Sequence, residues 1–479
     1  MRLNKPILTT LLTINTMKRI LLSVLFAVFA VIAMAQAKYV FYFIGDGMGP
    51  NQVLTAEMYQ ASLQGKIGRV PLLMTQFPYS GQAATFSSSW GITDSAASGT
   101  CLASGKKTNN GMIGMTPDGE NAYSVAHQLK QEGWAVGIMS SVPVDHATPA
   151  SQYAHAEKRY QYYKIGTHLA ESGFDFFGGG GFQSPVNKED STATNLYDLC
   201  KKAGYAMVGS YDEAMKKIGK KKMLLVPQYD LDNPTKGADA LPYAIDRKEG
   251  DLSLAQIVEV AVAKLSKSDH FYLMAEGGKI DYAGHGNDGA TNIHEVMDFD
   301  AAIAVAYRFY EQHPDETLIV VTADHETGGM SLGNTSGEFD LQLLQYQKCS
   351  SDKLSARLSA LHQEQGDALT WKQVKSVLSE LTGLYGAVEV TAEEDVALQE
   401  AYQKMMRKQE SIKTLYEDIN ALAGQALRTL NYKAGIGWVK GGHTATAVPI
   451  FAIGVGAEHF TGWHDNSEIA PLIYQATRE

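Results

Sequence analysis

Four times in this chain a short, mostly apolar run gives way at once to ionisable residues. Tyr39-Val40-Phe41-Tyr42-Phe43-Ile44 stops at Gly45-Asp46-Gly47-Met48-Gly49, and Ala135 to Ser140 leads to Asp145-His146-Ala147-Thr148-Pro149. Phe271 to Ala275 leads to Glu276, and Thr317 to Thr322 leads to Asp324-His325. Apolar runs of this length without alternation are covered on both faces, which is the mark of a strand inside a parallel sheet. After the first run, Asn51 to Leu63 has helical texture, so strand, acid and helix open a βα unit. In an open parallel sheet the residues just past the carboxyl ends of the strands meet along one edge. The expected fold class is therefore α/β, with Asp46, Thr148, Glu276, Asp324 and His325 on that edge. An acid after a strand is often only the cap of the next helix, so the weight lies in the repetition.

Two further stretches supply chemistry. Gly91-Ile92-Thr93-Asp94-Ser95-Ala96-Ala97-Ser98-Gly99-Thr100 places an acid before small residues at an expected helix start, where free backbone N–H groups favour an anion. Ser95 would sit among those groups, but a serine hydroxyl needs a base or a metal to become a nucleophile. In Glu276-Gly277-Gly278-Lys279-Ile280-Asp281-Tyr282-Ala283-Gly284-His285, Asp281 and His285 stand one helical turn apart, a spacing that suits one metal ion. Asp46, Glu276, Asp281 and Asp324 gathered without cations would raise one another's pKa until some protonated. Mixed Asp and His ligation fits Zn2+, whereas Glu276 with Thr148 fits the harder Mg2+.

With DGMG, TDSAASGT, HATPA, AEGGKIDYAGH, TADHETGG and GGHTA in that order, the chain resembles the metal-dependent alkaline phosphatases, from Tyr39 to Thr335 and again from Ile436 to the C-terminus. The resemblance implies a three-layer αβα sandwich around a mainly parallel sheet, with a catalytic domain over 38–335 and 439–479. It implies phosphate monoesters as substrates, a phosphoserine intermediate on Ser95 and a site for two Zn2+ and one Mg2+. By similarity, Asp281, His285 and His443 hold the first zinc, Asp46, Asp324 and His325 the second, and Asp46, Thr148 and Glu276 the magnesium. Arg159 matches the family's phosphate-binding arginine, whose planar fork suits two non-bridging oxygens and so selects monoesters. His146 and Tyr282 match positions near the third metal and the phosphate, where some members carry Asp and Lys and others His at both. This chain follows neither pattern, and weaker Mg2+ binding with looser product phosphate is expected. A homodimer is also implied. A phosphodiesterase or sulfatase of the same superfold remains an alternative, as does a non-catalytic phosphate-binding protein.

A net charge of −11 with 45% hydrophobic and 19% charged residues describes a soluble globular chain and argues against nucleic acid as a specific partner. Lys18-Arg19, the apolar Ile20 to Ala35 and the small residues up to Ala37 have the form of a secretory signal over 1–37, with Met17 the expected true start. The mature protein is expected in the periplasm or secreted, with no stable membrane span after cleavage. Three cysteines, Cys101, Cys200 and Cys349, allow at most one disulfide. From 336 to 438 the texture suggests a helical, cap-like insertion. Thr370 and Thr391 begin capping boxes, and Leu398, Tyr402, Met405 and Met406, then Ile412, Leu415, Tyr416, Ile419 and Leu422, keep helical spacing. Gly178 to Gly181 reads as a flexible turn, and Val448 to Gly454 as the last strand.

Overall fold

Tyr39–Ile44 (β1) forms the middle of a ten-stranded sheet whose register explains where the ionisable residues go. The computed structural model describes residues 36–478 apart from 228–232, 234, 336, 338, 410, 414, 415 and 417; the expected signal segment up to residue 35 lies outside them. The remaining strands are Tyr79–Ala84 (β2), Ala135–Ser140 (β3), Phe176–Gly178 (β4), Tyr205–Val208 (β5), Lys222–Leu225 (β6), Phe271–Glu276 (β7), Thr317–Thr322 (β8), Val448–Gly454 (β9) and Gly462–Asp465 (β10). Their order is β10-β2-β9-β8-β1-β7-β3-β4-β6-β5. All pairs are parallel except those of β9 with β2 and β8. Ile44 faces both Glu276 and Thr322, and Ser140 faces Glu276, so four strands end level with one another.

Every residue of β3, β7 and β8 is buried, as expected for a sheet covered on both sides. The covering helices fall into two packed groups. Pro50–Leu63, Leu254–Leu265 and Gly289–Tyr310 make one, and Ser95–Ser104, Val125–Gln131 and Ile469–Ala476 the other. Phe41 and Phe271, neighbours across the sheet, meet edge to face at 5.2 Å; each such buried ring stabilises the fold by about 2–3 kcal/mol. The architecture is the expected α/β fold with a mostly parallel sheet.

Three details differ from the sequence reading. Ser411–Lys413 pairs antiparallel with Asp418–Asn420, so the stretch from Ile412 to Ile419 carries two strands instead of the expected helix, and Leu415 lies outside the described residues. The side chain of Asn420 accepts from Ala423 N at 2.9 Å, and this cap starts the helix Ala421–Ala434 only after the hairpin. β10 follows β9, which is therefore not the last strand. The glycine run at Gly178 to Gly181 is tightly packed instead of flexible, since a Cβ on Gly180 would lie 2.1 Å from the Asp239 carbonyl oxygen. Cys101, Cys200 and Cys349 are all buried free thiols, within the limit of at most one disulfide. The helices Ser351–Gln365, Trp371–Thr382, Ala392–Met406 and Ala421–Ala434 do form, and both capping boxes are present. Among the described residues no helix is long and apolar enough to cross a membrane.

Candidate active site

Ser95 begins the helix Ser95–Ser104 and is fully buried. Its helix is capped by Asp94, whose Oδ1 accepts from Ala97 N at 3.0 Å. The other oxygen of Asp94 accepts from Gly111 N at 3.0 Å and meets Arg159 Nη1 at 3.2 Å, so a single carboxylate starts the helix and anchors the guanidinium. Ser95 Oγ lies 3.2 Å from His325 Nε2.

Three imidazoles face the serine's side of the edge, and each has its ring orientation set by a bond at Nδ1. His285 Nδ1 is 2.8 Å from the Gly441 carbonyl oxygen and His443 Nδ1 is 2.9 Å from that of Thr93. A carbonyl only accepts, so both Nδ1 atoms carry a proton, and Nε2 is a lone pair in whichever ring is neutral. These two Nε2 atoms nevertheless stand 3.3 Å apart. Once both rings are neutral, two facing lone pairs at that distance call for a cation between or beside them. The third ring, His325, points Nδ1 at Thr327 Oγ1, 3.2 Å away, while the same hydroxyl donates to Asp281 Oδ1. Thr327 reaches this place because Glu326–Thr327 pairs with His443–Thr444 in a two-residue ladder. Glu326 clamps that ladder through Gln52 Nε2 at 2.6 Å, two backbone N–H groups and the Thr444 hydroxyl.

The acids tell the same story through their unanswered oxygens. Both oxygens of Asp46, Oε1 of Glu276, Oδ2 of Asp281 and Oδ2 of Asp324 are buried without a hydrogen bond, and so are Thr148 Oγ1 and His146 Nδ1. Burial drives the carboxyls of Asp46 and Asp324 well above the usual range, and neighbouring carboxylates add to it. Burial likewise lifts Glu276 to about 7, against the Ser140 and Thr148 hydroxyls. Asp281 moves the other way. Against its burial, His285 and then His443 hold it well below the carboxylate range, and the Asp281 charge lifts His285 to about 9 against the pull of burial. A set of oxygens and imidazole nitrogens this crowded fits divalent cations by its own chemistry. Ligand atoms gather within 4.8 Å as Asp46 with Asp324 and His325, as Asp281 with His325 and His443, and as Asp46 with His146 and Glu276. His285 Nε2 lies 3.4 Å from Asp281 Oδ2. Gly47 makes the crowding possible: its φ is +74°, and a Cβ there would meet the Asp281 Cα at 2.8 Å.

The sequence-derived residues Asp46, Ser95, Asp281, His285, Asp324, His325 and His443 come together around the serine, and Thr148, Glu276, His146 and Arg159 border them. Arg159 Nη2 is 3.3 Å from His146 Nε2. Tyr282 is buried beside His146, with ring centroids 5.9 Å apart. Sequence reasoning missed two residues. Thr327 lies inside TADHETGG and was signalled only by its motif. Tyr416 comes from the hairpin read as helix, stacks on Tyr282 at 3.5 Å and places its hydroxyl 3.3 Å from His146 Nε2.

Comparison with known proteins bears on this geometry. A profile of the alkaline phosphatase family matches residues 37–478. The chain is 31% identical over 453 residues to alkaline phosphatase 4 of Bacillus subtilis, spanning 92% of this chain and 89% of that one. It is 29% identical over 475 residues to the repressible alkaline phosphatase of Saccharomyces cerevisiae, spanning 91% of this chain and 80% of that one. The structure resembles a cold-active alkaline phosphatase from a psychrophilic Shewanella with a TM-score of 0.77 at 26% identity, over 92% of this chain and 100% of that one.

Proposed function

The chain belongs to the alkaline phosphatase family, and from that premise we propose that it is an exported phosphomonoesterase that works through a phosphoserine on Ser95. The observation that carries the proposal is the convergence of orphaned carboxylate oxygens and facing imidazole Nε2 atoms on one buried serine. In this reading Asp281, His285 and His443 hold one zinc, Asp46, Asp324 and His325 a second, and Asp46, Thr148 and Glu276 a magnesium. Such ions lower the pKa of a serine hydroxyl and of water, and they neutralise charge on a transferring phosphoryl group.

The chain's own residues do the rest. Arg159, held from one side by Asp94, offers its fork to two non-bridging oxygens of the ester. The N–H groups at the start of the Ser95–Ser104 helix face the same anion. Ser95 Oγ forms a bond to phosphorus as the bond from phosphorus to the ester oxygen breaks, and the alcohol leaves with that oxygen. Water then attacks the phosphoserine in line, freeing Ser95 and inorganic phosphate. Small-molecule phosphate monoesters are the substrates, and the protein acts as a homodimer. The segment up to residue 37 directs export to the periplasm or the medium, and N-terminal sequencing of secreted protein should begin close to Lys38.

The test compares a chromogenic phosphate monoester, a diester and a sulfate, each with and without chelator. Fast monoester turnover, lost on chelation and restored by zinc plus magnesium, is expected, with covalent phosphate label on wild type and none on Ser95→Ala. A preference for diester or sulfate, or label elsewhere in the chain, would overturn the reading.

A further inference from the structure

The hairpin Ser411–Lys413 with Asp418–Asn420 brings one ring into the site. Tyr416 stacks on Tyr282 with planes 13° from parallel, and it sits edge-on to His146 and His285 at 5.7 and 5.6 Å. Its hydroxyl and Arg159 Nη2 both lie 3.3 Å from the same atom, His146 Nε2. An imidazole nitrogen has one lone pair or one proton, so two partners must share it. Both distances are long for a hydrogen bond, which agrees with sharing.

The two partners are not equivalent. A guanidinium only donates, whereas a phenol hydroxyl donates or accepts. Arg159 therefore suits His146 in only one tautomer, while Tyr416 suits it in both. His146 Nδ1 is buried without a hydrogen bond, and His146 groups with Asp46 and Glu276. If Nδ1 gives its lone pair to a cation there, the proton resides on Nε2, which then faces an Arg159 N–H and repels it. Tyr416 Oη can accept that proton's bond. The guanidinium, still tethered to Asp94 at 3.2 Å, is left with Nη2 unengaged.

We propose that Tyr416 is a positioning residue for the phosphoryl group: its hydroxyl accepts from His146 Nε2–H and holds His146 in the tautomer that leaves Arg159 Nη2 to a non-bridging oxygen. The inference rests on the phosphomonoesterase reading. It assigns to the segment between the helices Ala392–Met406 and Ala421–Ala434 a part in substrate binding, and not only in covering the sheet edge. Tyr416→Phe keeps the ring stacked on Tyr282 and removes only the hydroxyl, so the hairpin's packing is preserved.

The experiment titrates inorganic phosphate calorimetrically into metal-loaded wild type, Tyr416→Phe, Arg159→Ala and the double variant, and measures KM and kcat with an aryl phosphate. Tyr416→Phe should weaken phosphate about tenfold, the scale of one lost buried hydrogen bond, and raise KM by a similar factor, with kcat within about twofold and an unchanged Tm. In the Arg159→Ala background it should have no further effect, because the group it releases is gone. Phosphate binding by Tyr416→Phe equal to wild type, or losses that multiply in the double variant, would overturn the proposal. Failure of wild type to hydrolyse any monoester would instead sink the phosphomonoesterase reading, so the two failures are distinct.

Discussion

Two buried acidic regions lie within this chain, and they answer the same penalty in opposite ways. Beside the helix Gly289–Tyr310, Asp288 accepts from Thr291 N, Thr291 Oγ1, Gln347 Nε2 and Ser351 N, all within 3.1 Å. Asp298 is matched by both Nη atoms of Arg247 at 2.7 and 2.8 Å, Asp300 takes the N–H groups of Leu73 and Met74, and Asp246 takes Ser350. At the sheet edge, Asp46, Glu276, Asp281 and Asp324 are as deeply buried as Asp288 but leave oxygens with no hydrogen bond. Removing a carboxylate from water is costly unless donors or cations replace the lost hydration. The first region uses protein donors and is structural. The second withholds them, and that shortage marks it as a place for cations more reliably than the mere number of acids does.

The largest effect that could break this contrast is on turnover. Asp46→Asn keeps the shape of the side chain but removes the charge that two proposed ions share, and phosphate monoester turnover should fall by about a thousandfold or more. A loss under about tenfold in steady-state assays would mean that Asp46 is not at the centre of the site. The corresponding change in the other region should act on stability. Asp288→Ala strands the Gln347, Thr291 and Ser351 donors and should cost about 3 kcal/mol in denaturant unfolding, with metal content and kcat per folded molecule retained. Lost metal content in that variant would show that the regions are not independent.

The contrast sharpens with pH. His285 in the metal-free protein keeps its proton up to about 9 because of Asp281, yet it must be neutral at Nε2 to ligate. Below that value the zinc held by His285 has to displace this proton, so its affinity should fall by about tenfold per pH unit from this group alone. Competition of chelator-stripped protein against a chromophoric chelator at pH 7, 8 and 9 would show it, and a flat profile would remove His285 from the ligand set. The smallest effect concerns His146. An acid there would accept from Arg159 and Tyr416 and add a charge near Glu276, so His146→Asp should tighten Mg2+ by several-fold to about tenfold in equilibrium titration. Unchanged affinity would place His146 away from the third ion.

Much of the sheet edge is legible in the amino-acid sequence. A buried parallel strand announces itself by an unbroken apolar run, and the residue after it has only one place to go, so β1, β3, β7 and β8 carry Asp46, Thr148, Glu276, Asp324 and His325 with them. Asp281 and His285 follow from helical spacing. His443 is legible only through the family's motif, because the ladder that places it, His443–Thr444 on Glu326–Thr327, is two residues long and has no periodicity to read. Tyr416 is hidden for a related reason. Ile412, Leu415, Tyr416 and Ile419 fit a helical spacing as well as a hairpin's, and over so short a run the pattern does not choose. The Asn420 cap chooses, by starting the helix later. Asp94 is visible as a helix cap but not as the anchor of Arg159, since a contact across 65 residues leaves no local trace.

The central claim, that the unanswered oxygens at the sheet edge exist to hold cations, is tested most directly by elemental analysis of purified, extensively dialysed wild type beside Asp46→Asn. The account predicts two zinc ions per wild-type chain, with magnesium in the third site held more weakly, and fewer zinc ions in the variant, which lacks the Asp46 carboxylate. Wild-type protein without stoichiometric metal, or an Asp46→Asn variant that retains the full complement, would contradict it.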